Sequence, residues 1–257
     1  MIEAFVCAFG LVFGSFYNVI IYRLPIDMSV TKGRSMCTSC KTQLRAVDLV
    51  PVFSWLFLKG KCRYCGEKIS IRYPAVELVT GLLFLISYYI YGLNLEFAAM
   101  CSLWSMLLIT AMIDWDTMYI MDSVLIVFTA VSAACLFFNG APVIPHLIGA
   151  GISFGIYLTI YLLARLFYKR EAFGFGDVLL VACVGLILGS TPWLAVTAAI
   201  LPAYIAVIGF IIIRFSGKKL SIKKEVAFGP YICVSAFIVS LWGGEIVNII
   251  SKFMGLA

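Results

Sequence analysis

The chain is 257 residues long, 63% hydrophobic and only 12% charged, with a mean hydropathy of +1.06. That composition excludes a soluble globular protein and leaves a polytopic membrane protein. The formal charge of +6 is local: of 19 Lys and Arg, ten lie between Arg23 and Arg72 and five between Arg214 and Lys224, a clustering that marks membrane topology and not a nucleic-acid footprint.

A spanning helix needs roughly 20 apolar residues, with shorter runs tolerated inside a bundle. On that measure the sequence predicts an all-α polytopic membrane protein of about eight transmembrane helices, at residues 2–21, 75–92, 95–113, 123–139, 143–166, 177–190, 193–214 and 227–250. The first run has no basic stretch before it and no small-residue cleavage site after it, so it reads as a retained span and not a removed signal peptide. With the N-terminus outside, segments 22–74, 114–122, 167–176 and 215–226 are cytoplasmic. Together with their adjoining helix ends they carry every Lys and Arg except Lys252, as the positive-inside rule asks. Three parts follow: a first span at 1–22, a small cytoplasmic insert at 23–74, and a membrane core at 75–257.

The insert is too small to bury a self-sufficient core, so it needs a metal, disulfides or membrane packing. Its cysteines point to the metal. Cys37-Thr38-Ser39-Cys40 and Cys62-Arg63-Tyr64-Cys65 are two Cys-x-x-Cys pairs, the spacing with which two knuckles grip one tetrahedral zinc. A closed four-sulfur site has no open coordination position, so the expected metal is a structural zinc, one per chain. A reducing cytoplasm disfavours disulfides there. Cys7, Cys101, Cys135, Cys183 and Cys233 lie in apolar runs and read as small buried side chains. His146 has no ligand partners in the sequence pattern and reads as structural.

Two acidic clusters stand at ends of apolar runs on the same predicted face. Asp114-Trp115-Asp116 follows the third run, and Phe173-Gly174-Phe175-Gly176-Asp177 opens the sixth. A carboxylate at the start of an apolar helix has lost part of its water shell and meets the positive end of the helix dipole, so its ionisation is tunable. Glycines on both sides of Phe175 let the backbone turn and admit another chain closely. Asp122 looks like the N-cap of the run beginning at Ser123. Taken singly, Asp114 or Asp116 is better explained as a boundary or capping residue, whereas Asp177 differs because two glycines precede it and a helix follows. If the ends carrying Asp114 and Asp177 meet, two carboxylates can share a proton and activate a water.

Taken in order, these motifs resemble the bacterial type IV prepilin peptidases. Gly14-Ser15-Phe16-Tyr17-Asn18-Val19-Ile20-Ile21-Tyr22-Arg23-Leu24-Pro25 looks like that family's first-span signature. The cysteine segment follows, then Ile69-Ser70-Ile71-Arg72-Tyr73-Pro74 leading to Glu77. Ile113-Asp114 and Gly174-Phe175-Gly176-Asp177 fall where the family places its catalytic aspartates. Met121 and Leu179 depart from the family pattern, which usually has Pro and Lys there, but neither removes a carboxylate.

The resemblance implies an enzyme that cleaves the leader of type IV prepilins or pseudopilins at the cytoplasmic face of the inner membrane. It also implies methylation of the new N-terminus with S-adenosylmethionine. Asp114 and Asp177 are the expected catalytic pair, Gly174, Phe175 and Gly176 the expected substrate loop, and Cys37, Cys40, Cys62 and Cys65 the expected metal ligands. Asp116 is the rival to Asp114, which the family match prefers. Glu77 is the candidate for methyl transfer by its position after the insert, with pairing to Arg72 or another basic residue as the alternative. A proton-coupled transporter with a regulatory zinc segment is the competing class, but its acids should be spread across the bilayer. A presenilin-like protease shares Gly-x-Gly-Asp and lacks the cysteine quartet.

Overall fold

A computed structural model of the chain describes residues 1–168, 174–189, 201 and 227–253. The described residues form helices α1 (Ile2–Arg23), α2 (Phe53–Phe57), α3 (Arg72–Tyr91), α4 (Leu95–Thr117), α5 (Asp122–Phe138), α6 (Val143–Tyr168), α7 (Phe175–Leu188) and α8 (Gly229–Phe253). Two 3-10 turns, Leu24–Ile26 and Ala46–Leu49, lie in the insert.

The all-α expectation holds for the described residues, but the expected eight spans are not met by them. Five helices are long and apolar enough to cross a membrane: α1, α3, α4, α6 and α8. The other two apolar helices, α5 and α7, have 17 and 14 residues. At 1.5 Å per residue α7 reaches only about 21 Å, short of a hydrocarbon core about 30 Å thick. The expected span at 193–214, apart from Leu201, the expected cytoplasmic segment 215–226 and residues 169–173 of the segment 167–176 lie outside the described residues.

The chain divides into two compact units, Met1–Phe97 and Ala98–Ala257. In the first, α1 and α3 run antiparallel with their backbones almost touching. A Cβ on Gly14 would come 2.6 Å from the Glu77 Cα, and one on Gly10 would come 2.9 Å from the Gly81 Cα. Glycine at both positions is what permits the approach. One turn further along α1, the Asn18 amide donates to the Tyr73 carbonyl at 3.0 Å. Arg23 ends α1 as a buried cation whose guanidinium donates to the carbonyls of Ser29, Lys32, Gly33 and Arg34. Gly92, at φ +69°, stops α3, and the Asn94 side chain caps α4 by accepting the Phe97 amide at 2.9 Å.

In the second unit α4 is the most enclosed helix, with Leu103, Trp104, Met106, Ile109 and Ile113 all at 1% exposure or less. Small polar groups tie it to its neighbours, as suits packing among apolar helices. Ser102 donates to the Phe128 carbonyl and Ser132 to the Ala99 carbonyl, linking α4 to α5. The Trp104 indole donates to Ser240 of α8 at 2.9 Å. The short α7 packs against α5, α6 and α8. The backbones of α6 and α7 meet at Gly149, Gly185 and Gly189, and His146 donates through Nδ1 to the Leu186 carbonyl at 2.8 Å. That bond satisfies one of the carbonyls left open near the end of α7, a structural role as expected.

Three local boundaries differ from expectation, the first two for a hydrogen-bonding reason and the third for a backbone one. α4 continues four residues past 113, with the Met118 amide still reaching the Asp114 carbonyl at 2.8 Å, and stops where Met118 turns left-handed at φ +55°. α7 starts at Phe175, because the Gly174 carbonyl already accepts the Asp177 amide at 3.2 Å. Asp122 is the first helical residue of α5, not its cap. The cap position belongs to Met121, whose backbone is extended at φ −85° and ψ 111°.

Candidate active site and metal centre

Asp114 lies in the last turn of α4 at 4% exposure, and Asp177 in the first turn of α7 at 6%. Asp116, two residues on from Asp114, is exposed. Burial therefore separates the two acids that the sequence left as rivals: a 200° turn of helix puts one inside and the other in solvent. Asp114 and Asp177 lie within electrostatic reach of each other.

Each carboxylate is held by one backbone amide. Asp114 Oδ2 accepts from the Gly229 N–H at 2.9 Å, and Asp177 Oδ2 accepts from the Gly174 N–H at 3.3 Å. The end of α4 thus meets the starts of α7 and α8, and two helix N-termini bring partial positive charge to the acids. The other oxygen of Asp177, Oδ1, is buried and has no hydrogen-bond partner among the described residues. Such an orphaned oxygen is costly unless a proton, a water or a substrate group completes it. A buried pair in this arrangement can hold one shared proton and pass another, the requirement for water activation.

The expected substrate loop divides in two. Gly174 and Phe175 are exposed, and the Phe175 ring meets Tyr161 of α6 edge-on at 5.9 Å between centroids. Gly176 faces the connection between α4 and α5, where a Cβ would come 2.9 Å from the Ile120 Cβ.

Two residues near the acids, Gly229 and Tyr157, escaped the sequence reading, and a third, Cys233, was read only as a small buried side chain. Gly229 presses so closely on Asp114 that a Cβ would lie 2.7 Å from Oδ2. Cys233, one turn into α8 and buried, is within electrostatic reach of both acids. Tyr157, at 1% exposure on α6, is an electrostatic neighbour of Asp177. The Gly229-Pro230 pair does signal a helix start, but no local pattern says which acid that start will meet.

In the insert, the two Cys-x-x-Cys segments fold into matching knuckles. The Cys37 amide bonds the Thr42 carbonyl and the Lys41 amide returns to Cys37. In the second knuckle the Cys62 amide bonds Glu67 and the Gly66 amide returns to Cys62. The left-handed position is Lys41 in one, at φ +58°, and Gly66 in the other, at φ +74°. Isolated bridges, Met36 with Gln43 and Lys61 with Lys68, close each base. Asp48 joins the second knuckle to the turn Ala46–Leu49. It accepts from Arg63 Nε at 2.6 Å, the Tyr64 hydroxyl at 2.9 Å and the Arg45 amide at 3.0 Å. Burial pushes its carboxyl up, but those donors together hold it below the usual range.

The four sulfurs all lie within 4.8 Å of one another, with Cys37 and Cys65 at 3.9 Å. A tetrahedral ion with bonds of about 2.3 Å needs sulfurs about 3.8 Å apart, so this arrangement fits zinc. The Thr42 hydroxyl and amide hold Cys40 down to about 6, and the Cys65 and Tyr64 amides lower Cys62. The Glu67 amide pulls Cys65 down, yet burial and the three neighbouring sulfurs push it up to about 12. A divalent cation relieves that mutual opposition. The quartet is the group of metal-ligating side chains found among the described residues.

Glu77, at 8% exposure, accepts the Val52 amide at 2.7 Å, and Ser15 is its second neutral donor. Val52 sits at φ +64° and ψ −52°, with the Phe53 amide on the Pro51 carbonyl at 2.6 Å. This is a γ-turn of the rare, strained hand, doubly unusual for a β-branched residue.

Sequence profiles match both units. The bacterial peptidase A24 N-terminal domain covers residues 8–91, and the type IV leader peptidase family covers residues 101–217. The chain is 36% identical over 203 residues to a prepilin leader peptidase/N-methyltransferase of Klebsiella pneumoniae, across 76% of this chain and 87% of that protein. It is 31% identical over 245 residues to a prepilin leader peptidase/N-methyltransferase of Bacillus subtilis (strain 168), across 95% and 96%. The protein of the same description from Pseudomonas putida is 30% identical over 260 residues, across 92% and 89%. No solved structure matches the chain.

Proposed function

The chain belongs to the type IV leader peptidase family, and on that footing we propose that it cleaves the leader of type IV prepilins or pseudopilins as an aspartyl endopeptidase, with Asp114 and Asp177 as its catalytic pair. The observation that carries the proposal is the buried Oδ1 of Asp177, which has no hydrogen-bond partner among the described residues and lies within electrostatic reach of the buried Asp114. One acid keeps the shared proton and hydrogen-bonds the scissile carbonyl, while the other takes a proton from the attacking water. The water oxygen bonds the carbonyl carbon, and the departing amine leaves with a proton from the pair. Phe175, exposed at the mouth beside Gly174, is the contact for the extended substrate segment. The site works at the cytoplasmic face of the inner membrane with the N-terminus outside, which the placement of Lys and Arg supports.

The same proposal extends to methylation of the new terminal amine. S-adenosylmethionine supplies the methyl group, and Glu77 is the candidate acceptor for the amine proton, since it is a buried carboxylate at the junction of insert and membrane helix. Its bond from Val52 must open for that role. The zinc held by Cys37, Cys40, Cys62 and Cys65 is structural.

One assay tests these assignments: the purified protein in lipid, a prepilin and methyl donor, with mass analysis of the product. Asp114→Asn and Asp177→Asn, which keep shape and lose the proton chemistry, each lower cleavage by about 10²- to 10⁴-fold. Full cleavage by either variant removes the dyad. Glu77→Gln gives cleaved but unmethylated pilin, and a fully methylated product clears Glu77 of that role.

A further inference from the structure

Helix α2 carries an apolar face that turns outward. Phe53, Leu56 and Phe57 are 53%, 56% and 83% exposed, and their i, i+3, i+4 spacing places them on one side. The helix is not a loose excursion, because it is fixed at its start and at its middle. At its start the Val52 amide is bound to Glu77 at 2.7 Å. In its middle the Trp55 indole donates to the Ile69 carbonyl at 3.0 Å, and its ring lies against Gly60, where a Cβ would be 2.9 Å away.

That first anchor sets a depth. Glu77 is five residues inside α3, a candidate span that begins at Arg72, so it lies about 7.5 Å along the helix axis from that start. The end of α1 gives the same level from the other side, since Asn18 meets Tyr73 and Arg23 lies beyond it. α2 therefore starts below the ends of the two spans that hold it. A water-facing cluster of two phenylalanines and a leucine at that level is improbable on physical grounds, whereas an interfacial helix buries such a face 5–10 Å into the headgroup and acyl boundary.

We propose that α2 is a membrane-surface foot: Phe53, Leu56 and Phe57 insert into the acyl and headgroup boundary beside α3, and the exposed Lys59 and Lys61 that follow meet anionic lipid headgroups. The charges and the apolar face follow one another within nine residues, which is the pattern of a peripheral contact with an anionic leaflet. Through Trp55 the foot ties the base of the second knuckle, at Gly60 and Ile69, to the bilayer surface, and its role stands apart from the catalytic assignment of Asp114 and Asp177.

The test uses the full chain in vesicles of phosphatidylcholine and phosphatidylglycerol, with trifluoromethyl-phenylalanine in place of Phe57 and, separately, of Phe53. A third sample carries it at the exposed knuckle position Glu67. Fluorine relaxation is read with dissolved oxygen, which concentrates in lipid, and with a water-soluble gadolinium chelate. The proposal expects positions 57 and 53 to respond to oxygen several-fold more than position 67, and to gadolinium several-fold less. A gadolinium response at 57 equal to that at 67 places the face in water and overturns it. Insensitivity to both agents means that protein, such as a substrate helix, covers the face, and overturns it equally.

Discussion

The residue that best separates chemistry from packing in the second unit is Gly229. Its amide holds Asp114 Oδ2 at 2.9 Å, and its missing side chain makes room for that oxygen. Gly229 is the first residue of α8, and where the conformation suits both residues, exchanging Gly for Ala ordinarily stabilises a protein by about 0.4–1 kcal/mol. A Cβ 2.7 Å from the carboxylate must instead displace Asp114 or the helix start. Gly229→Ala is therefore expected to lower prepilin cleavage by on the order of tenfold or more, equivalent to about 1.4 kcal/mol, while the unfolding temperature changes little. Initial rates and thermal unfolding of the detergent-solubilised protein check this, and unaltered cleavage would show that the amide contact does not orient the acid. Asp114 itself was legible at this scale, and so was its doublet partner Asp116. The choice between them was physical, because burial is a property of the packed bundle and not of two acids a single residue apart.

At the scale of elements, the two knuckles show how a short polar segment acquires structure without a core of its own. Each is a hairpin with one left-handed residue, and the exposed loops around them bury little apolar surface, so the sulfur quartet is the main connection between them. Metal removal should accordingly unfold the insert and leave the helices in place. With a strong chelator, or in Cys37→Ser and Cys62→Ser, limited proteolysis is expected to cut between residues 29 and 71 while α1 and α3 remain as intact fragments. Metal analysis should fall from one zinc per chain to none. An insert that resists protease after metal loss would show that the Asp48 cluster and the Val52–Glu77 contact suffice to hold it. The knuckles also carry an internal control. Lys41 and Gly66 occupy the same left-handed position, so Lys41→Gly should be tolerated or slightly stabilising, whereas Gly66→Val should cost on the order of 1–2 kcal/mol.

For the whole molecule, the orientation proposed from charge makes a prediction that no single residue can. Reporter fusions at residue 66, in the insert, and at residue 119, between α4 and α5, should report the cytoplasm. A fusion at residue 141, between α5 and α6, should report the outside. The opposite pattern would put Asp114 and Asp177 on the wrong face for a prepilin leader. By itself the sequence determined the membrane class, the positions of the apolar helices among the described residues, a cysteine quartet able to hold a metal, and the family, because hydropathy, Cys-x-x-Cys spacing and ordered motifs are all local along the chain. It also named Asp114 and Asp177, the two acids the structure buries at helix ends. Only the tertiary structure decided that Asp114 is inward and Asp116 outward, that Gly229 holds the acid, and that Glu77 braces a strained turn at Val52. Each of these depends on which helix lies beside which and how closely their backbones approach, and contacts between residues 25 or 115 positions apart leave no periodic trace in the sequence that makes them.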